Sequence, residues 1–163
     1  MPAGMEPQQL GPADAGEILT LQRAAYVTEA QAHDDLMMPA LLQTLPELKQ
    51  ELADPACRAL GLRAAGRLVA SVRILTVDPA TAEIRRLTVA PDRQGQGLGT
   101  TLLLAAEAGL PAAVTTVRLF TGERSLANQR LYGRLGYQET GRTPAGRYHL
   151  VHMAKQRVLA PRP

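Results

Sequence analysis

The sequence predicts an α/β fold built on one mixed sheet, with the element order β-α-α-β-β-β-α-β-α-β-β. Two observations support this prediction. Apolar residues keep helical spacing through the first part of the chain and alternate, as in strands, from Cys57 onward. Later, a glycine-rich loop and an apolar helix join two strands within residues 82–120, and such a unit places its two strands parallel. The length of 163 residues suits one domain over residues 1–163.

The first third of the chain is predicted to hold a short strand and two helices. The strand covers residues 6–10. Asp14 is expected to cap a helix that runs to about Ala30, because apolar residues recur there at helical spacing. A polar segment at 33–35 follows. The second helix is marked by four leucines and is broken or delayed by two prolines, namely Leu41, Leu45, Leu48, Leu52, Pro39 and Pro46.

The middle of the chain is predicted to form an antiparallel meander followed by a helix. Turn residues separate three apolar segments, which are expected to be strands at 58–63, 68–77 and 82–90. The helix begins near Leu98, and Pro111 ends it.

The C-terminal part is predicted to hold three more strands and one helix. A strand over residues 114–120 precedes a helix that Ser125 is expected to cap and that runs to Leu135. Gly136 is placed to end this helix in the left-handed conformation. Two closing strands are expected at 137–140 and 148–155, with a loop at 141–146 between them.

Composition limits the classes of function. Aromatic residues make up 3% of the chain and tryptophan is absent, which argues against a base-stacking surface for nucleic acid. The single cysteine, Cys57, excludes an internal disulfide framework and a cysteine zinc site, and we expect an inert buried thiol. Neither a signal peptide nor a membrane-spanning run is recognisable. We therefore expect a cytoplasmic protein without nucleic-acid or membrane partners.

The net charge of +3 hides an uneven distribution. Residues 1–55 hold nine acidic and two basic residues, whereas residues 56–163 hold six acidic and sixteen basic ones. A basic part suits a polyanionic ligand, and an acidic part beside it suits a cationic one. Two solvated faces of different charge would give the same composition, so this interpretation stays open.

The segment PDRQGQGLGTTLL, residues 91–103, places three glycines within five residues directly before a helix. Glycine loses the most freedom on folding, so such a cluster indicates a tight turn or a ligand that touches the backbone. A nucleotide P-loop would need Lys followed by Ser or Thr at the helix start, but Gly99 is followed by two threonines. The dinucleotide spacing Gly-x-Gly-x-x-Gly fails from both Gly95 and Gly97.

The same segment matches the form Gln/Arg-x-x-Gly-x-Gly/Ala through Gln94, Gly97 and Gly99, and there it resembles the GNAT superfamily of acyl-CoA-dependent N-acyltransferases. Two further features agree: the preceding strand EIRRLTV, and a later motif of Asn, Tyr and Gly-aromatic within NQRLYGRLGY at 128–137. The resemblance covers essentially the whole chain and implies a GNAT-like fold. Residues 1–55 match only in general layout.

The resemblance implies that acetyl-CoA is the cosubstrate and that no metal is needed. The glycine loop would wrap the pyrophosphate, since a helix N-terminus offers free N–H groups and a partial positive charge. The strand before it would splay from the next strand and bind the pantetheine amides through its free backbone edge. The expected cofactor-binding residues are Leu87, Thr88, Val89, Arg93, Gln94, Gly95, Gln96, Gly97, Leu98, Gly99, Thr100, Asn128 and Tyr132.

The resemblance also implies acetyl transfer to a primary amine by direct attack in a ternary complex. Tyr132 shares a helix face with Asn128 and would protonate the departing thiolate, because a tyrosine pKa of about 10 exceeds the roughly 8.5 of a thiol. A backbone N–H near Val89 would polarise the thioester carbonyl.

The base that accepts the amine proton is less determined. Glu83 lies eleven residues before Gln94, which resembles the catalytic glutamate of the histone-acetyltransferase branch. The alternative is a surface or structural glutamate at this position, with other residues or only a water chain acting as the base. Asp34 or Asp35 could instead bind the cationic amine.

The identity of the acceptor is open, and it is either a small molecule or a protein. The acidic N-terminal part favours a cationic amine. His149 or His152 could line the acceptor cleft, although they face opposite sides of a strand and cannot form one ligand pair. A regulatory module that binds acyl-CoA without turning it over is the alternative to an enzyme. Dimers are common in the family, so a homodimer is also an open expectation.

Overall fold

A computed structural model describes residues 5–158, and its centre is one seven-stranded sheet in the order β1-β2-β3-β4-β5-β7-β6. Only β4 and β5 pair in parallel, whereas the other neighbouring strands are antiparallel, so the predicted mixed sheet is confirmed. The strands are β1 Gln8–Leu10, β2 Cys57–Ala64, β3 Arg67–Asp78, β4 Thr81–Val89, β5 Thr116–Gly122, β6 Gln138–Ala145 and β7 Tyr148–Gln156.

Five α-helices accompany the sheet within the described residues: α1 Ala15–His33, α2 Pro39–Leu42, α3 Leu45–Ala53, α4 Leu98–Ala108 and α5 Leu126–Arg134. The predicted second helix is indeed broken, because α2 and α3 are separate. Thr44 starts α3 with a capping box, in which its hydroxyl accepts from the Glu47 N–H at 3.3 Å. Pro46 fits the first turn of that helix, where its missing N–H costs nothing.

The predicted loop at 141–146 is also wrong. β6 continues to Ala145 and pairs with β7, so only Gly146 and Arg147 turn the chain. Gly146 has φ +68°, a left-handed conformation that suits a tight hairpin. Pro144 argues against a strand in the sequence, because proline lacks an N–H. However, β6 is an edge strand, where a missing N–H is tolerated.

Of the three predicted helix caps, Gly136 ends its helix as expected, whereas the Asp14 and Ser125 side chains do not cap theirs. Gly136 ends α5 with φ +97° in a Schellman arrangement, in which the Tyr137 N–H bonds the Tyr132 carbonyl at 3.0 Å. Asp14 and Ser125 occupy N-cap positions, but neither side chain caps its helix. The Asp14 carboxylate accepts from the Gly11 N–H at 2.8 Å instead, and the Ser125 hydroxyl donates to Glu29.

The core is aliphatic, as the low aromatic content predicts. Helix α1 packs on β3 and β4, and α4 packs on β2, β3 and β4. Fully buried side chains at these contacts include Ile18, Leu62, Val72, Leu102 and Leu103. The helices are thus fixed against the centre of the sheet, and the ends of β4 and β5 are left to form the site.

Candidate active site

The site begins where β4 and β5 separate. Their parallel ladder covers only three pairs, from Thr81 with Thr116 to Glu83 with Arg118. A register irregularity between β3 and β4 coincides with Arg86, whose φ is +53°. A bulge of this kind bends a strand away from its neighbour. Beyond Glu83 the edge of β4 that faces β5 therefore has no strand partner, as the resemblance implied.

A cavity of about 660 Å³ fills the gap between the two strands. Its walls are residues 84–89 of β4 and 119–122 of β5, with α1 and α5 on the flanks. Residues 93–95 and 97–100 line one end, and residues of α1 and α2 line another part of the wall. Among the predicted cofactor-binding residues, Gln96 alone does not line this cavity; its side chain is exposed and accepts a hydrogen bond from Arg93 at 3.4 Å.

The glycine loop, residues 94–100, has the backbone that its sequence predicts. Gly95 and Gly97 have φ values of +77° and +79°, where a side chain would be strained. The first backbone bond of α4 runs from the Thr101 N–H to the Gly97 carbonyl at 3.0 Å. The N–H groups of Leu98, Gly99 and Thr100 precede this ladder and remain available at the helix N-terminus. The loop can therefore bind an anion through its backbone N–H groups.

Two predicted residues of α5 lie together in the opposite wall. Asn128 and Tyr132 both line the cavity, and the Asn128 amide donates to the Thr121 hydroxyl at 3.4 Å. Tyr132 is only 6% exposed, and its hydroxyl has no hydrogen-bond partner within residues 5–158. Burial raises the pKa of Tyr132 above its usual range, and repulsion from Tyr26 and Glu29 adds to this effect. The phenol therefore stays protonated at neutral pH.

The backbone of β4 forms the floor of the cavity. Leu87, Thr88 and Val89 all line it. The Thr88 side chain is buried, and its hydroxyl lies 3.0 Å from that of Ser71 on β3. Because this hydroxyl is already paired, Thr88 can meet a ligand in the cavity through its main chain.

Glu83 lies outside the cavity lining. Its carboxylate accepts hydrogen bonds from Arg85 and, at 2.9 Å, from Arg118. Burial raises the pKa of Glu83, but the hydrogen bonds and charges of the two arginines outweigh burial and hold it below the usual range. The structure thus places Glu83 in an ion-pair cluster at the point where the strands separate, and this position does not support the predicted role of base.

The other sequence candidates also lie outside the lining. Asp35 accepts a hydrogen bond from the Tyr148 hydroxyl at 2.7 Å, and the neighbouring Asp34 ends α1 in an exposed position. His149 is exposed beside Glu123 and His152 bonds Thr143. These contacts leave the predicted amine site and cleft histidines without support.

Cys57 is half-buried at the start of β2 and away from the cavity lining. Burial raises the pKa of this thiol to about 11. A thiol in this state is mostly protonated at neutral pH, and it is therefore a poor nucleophile.

Several residues of the cavity wall were not predicted from the sequence, and three of them carry polar groups that matter for the acceptor. Tyr26 and Glu29 lie three residues apart on α1, and Arg86 lies at the bulge of β4. The Ser125 hydroxyl holds the Glu29 carboxylate from α5. The spacing of Tyr26 and Glu29 shows that they share a helix face, but nothing local shows that this face turns toward β4.

The fold and the site together define a class of protein. Two parallel strands separate around a cavity, free N–H groups of a helix N-terminus stand at one end, and a protonated tyrosine stands in the wall. This is the arrangement of an acyltransferase that uses coenzyme A. The chain belongs to the acetyltransferase (GNAT) family, whose family model matches residues 18–137. The predicted family and the predicted enzyme class are thereby confirmed.

Solved structures show the same fold at low sequence identity. The PaiA N-acetyltransferase of Thermoplasma acidophilum, in complex with coenzyme A, has a TM-score of 0.76 and 17% identity over 94% of this chain and 99% of that one. A ribosomal-protein-alanine N-acetyltransferase of Escherichia coli has a TM-score of 0.76 and 21% identity over 96% of each chain. A GNAT acetyltransferase of Streptococcus agalactiae has a TM-score of 0.78 and 17% identity over 96% and 97% of the two chains.

A comparison with curated proteins found no match to this sequence. Over residues 5–158, no helix is long and apolar enough to cross a membrane. The same residues contain no group of three or more His, Cys, Asp or Glu side chains that could hold a metal ion.

Proposed function

We propose that this protein transfers the acetyl group of acetyl-CoA to a primary amine by direct attack in a ternary complex. The observation that carries the proposal is the separation of β4 from β5, which opens one cavity from the glycine loop to Tyr132. A cosubstrate in this cavity would meet free backbone along its whole length. The acceptor would then reach it from the α1 side.

Coenzyme A fits the glycine loop by charge and by shape. The available N–H groups of Leu98, Gly99 and Thr100 would donate to the pyrophosphate, and the helix dipole would favour its negative charge. A Cβ atom at Gly95 or Gly97 would meet nothing within 4 Å, so both glycines border open space that a phosphate could occupy. Arg93 lines the same end and adds a full positive charge.

The pantetheine arm would lie along the unpaired edge of β4. An amide-containing chain next to an open strand edge gains the hydrogen bonds that a neighbouring strand would give. In this position the thioester carbonyl comes close to a main-chain N–H of residues 87–89. Such an N–H would stabilise the oxyanion that forms when the amine attacks.

Tyr132 would act at the leaving group. When the tetrahedral intermediate collapses, the C–S bond breaks and the thiolate takes a proton from the Tyr132 hydroxyl. The raised pKa keeps this hydroxyl protonated before the step, and solvent restores its proton afterwards. Its lack of a hydrogen-bond partner within the described residues leaves it available for the sulfur.

Glu29 is better placed than Glu83 to take the proton of the amine. Glu29 lines the cavity and acts electrostatically on Tyr132, whereas Glu83 lies outside and is paired with two arginines. The Ser125 hydroxyl fixes the Glu29 carboxylate from α5, which ties the base to the helix that carries the acid. We therefore assign Glu29 as the base, acting directly or through one water.

The test is amine-dependent release of free thiol from acetyl-CoA, with mass spectrometry of the acetylated product. Neutral, cationic and anionic primary amines form the acceptor panel. The proposal predicts thiol release that depends on both substrates and a stoichiometric N-acetyl product. Tight acetyl-CoA binding without thiol release for any amine would contradict it and would support a regulatory binding module.

A further inference from the structure

We propose that the acceptor carries an anionic oxygen group, a carboxylate or a phosphate, beside its amine, and that Arg86 binds this group. The inference rests on the proposed function, since it concerns the acceptor of the same cavity. Arg86 lines the cavity from the bulge of β4. A planar guanidinium recognises both anions through two parallel hydrogen bonds.

The Arg86 guanidinium has no anionic or hydrogen-bond partner within the described residues. The cavity lining holds three other arginines: Arg85 is paired with Glu83, Arg93 bonds Gln96 at 3.4 Å, and Arg134 is exposed to solvent. Arg86 is half-buried, and its guanidinium carbon stands 5.9 Å from the centre of the Tyr26 ring. The aromatic face orients the charge while its donors remain free.

The backbone of Arg86 is strained. Its φ of +53° lies in the left-handed region, which is unfavourable for a residue with a side chain. Glycine would avoid this cost at a bulge. Strain of this kind at a cavity wall points to a side chain that the site uses.

Acidic residues are scarce in the cavity lining. Glu29 is the only one of the nine acidic residues in positions 1–55 that lines it. The acidic composition of this segment therefore does not make the cavity acidic, and the expected preference for a cationic acceptor loses its basis. Glu29 and Arg86 both line the cavity, so we assign one to the amine and the other to an anion of the acceptor. A second ammonium group on the acceptor would be repelled by the positive charge of Arg86.

The position of Arg86 along β4 separates it from the pyrophosphate site. The glycine loop begins at Gln94, eight residues after Arg86. The three residues from Arg86 to Val89 alone span up to about 10 Å of strand. Helix α1 contacts the sheet at β3 and β4, which places Tyr26 and Glu29 beside this part of the strand. Arg86 is therefore assigned to the acceptor and not to coenzyme A.

The experiment compares matched acceptors with the wild type and with Arg86→Gln, which removes the charge and nearly keeps the length. The acceptors are amines of equal chain length that end in a carboxylate, a phosphate, a methyl group or a second amine. We expect the anionic acceptors to have the highest kcat/KM in the wild type. Arg86→Gln should raise their KM about tenfold to a hundredfold and leave the neutral amine unchanged. The carboxylate and phosphate arms show which anion is preferred.

Two controls keep the result specific. Arg130→Gln removes an arginine from an exposed position of α5 outside the cavity and should leave every KM unchanged. Arg86→Lys should restore part of the preference, because it keeps the charge but loses the planar fork. Equal KM changes for neutral and anionic amines in Arg86→Gln, or a wild-type preference for the diamine, would overturn the inference.

A binding measurement separates this inference from the proposed function. Ligand-observed NMR of the CoA-loaded protein reports binding of the carboxylate-bearing amine without turnover. Binding that Arg86→Gln weakens, in a protein that releases no thiol with any amine, would support the anion site and reject the transferase reaction. Thiol release without any effect of Arg86→Gln on binding or KM would support the transferase reaction and reject the anion site.

Discussion

The two ends of the cavity are built in different ways. The glycine loop presents main-chain N–H groups from one continuous segment, residues 94–100. The proposed acceptor end, lined by Tyr26, Glu29 and Arg86, presents side chains from α1 and β4, and Ser125 at the start of α5 bonds one of them. A ligand common to a family can be bound by backbone, whereas a particular acceptor needs side chains that differ between proteins. For this reason the glycine loop is recognisable in the sequence and indicates the cosubstrate, whereas the nature of the acceptor has to be inferred from side chains brought together by the fold.

The largest effect is expected where the two ends meet, at Tyr132. Tyr132→Phe should lower kcat by about a hundredfold or more, since general acid catalysis typically contributes that much. Acetyl-CoA affinity, measured by calorimetry, should change little. Tyr137→Phe is the matched control, because its hydroxyl donates to Glu107 at 2.7 Å outside the cavity lining. Full turnover by Tyr132→Phe would refute the assigned acid.

A somewhat smaller effect is expected for the base of the acceptor end. Glu29→Gln keeps the side-chain length and an oxygen for the Ser125 hydroxyl, but it removes the basic carboxylate. We expect kcat/KM for the amine to fall by about a hundredfold, with KM for acetyl-CoA unchanged. Glu17→Gln on the same helix is the control, because Glu17 pairs with Arg63 away from the cavity. Equal rates for Glu29→Gln and the wild type would show that Glu29 is not the base and would favour a water chain that takes the amine proton.

At the other end, a side chain on the glycine loop should impair cosubstrate binding alone. Gly97→Val should raise KM for acetyl-CoA about tenfold to a hundredfold, because the backbone can no longer approach the phosphates closely. It should also cost about 1–2 kcal/mol of stability at φ +79°. Gly66→Val creates the same strain at φ +83° in the β2–β3 turn, so it should match the loss of stability without the rise in KM. An unchanged KM in folded Gly97→Val would contradict the loop assignment.

The smallest effect on rate is expected at Glu83. Glu83→Gln leaves Arg85 and Arg118 without their carboxylate, and the free energy of unfolding should fall by about 1–2 kcal/mol at neutral pH. Turnover should stay within about threefold of the wild type, which is far below the effect of losing a general base.

The pH dependence of the free energy of unfolding tests the predicted loss of stability in Glu83→Gln. The folded pKa of Glu83 is lowered, so its stabilisation is complete above the unfolded pKa of about 4.3 and disappears as pH falls through the folded value. Urea unfolding should therefore show the gap between wild type and Glu83→Gln closing in acid. A loss of turnover comparable to that of Glu29→Gln would restore Glu83 as the base.

The features that could be predicted from the sequence are those that neighbouring residues fix. Left-handed φ values at Gly97 and Gly136 follow from glycine itself and from its place at a helix end. The parallel pairing of β4 and β5 follows from the helix between them. Asn128 and Tyr132 share a face because four residues make about one helical turn. The family resemblance depended on the same local features.

Only the tertiary structure decided which side chains work together. Glu83 has the right distance in sequence from Gln94, but Arg118 from β5 pairs with it and its place in the sheet keeps it outside the cavity. Glu29 lines the cavity because α1 lies against it, and Ser125, 96 residues away in the chain, bonds its carboxylate. The sequence by itself thus determined the fold and the loop that we propose for the cosubstrate, because backbone conformation depends on local chemistry. The proposed base and the proposed anion site follow only from the tertiary structure, because the burial and the partners of a charged side chain are set by residues far from it in sequence.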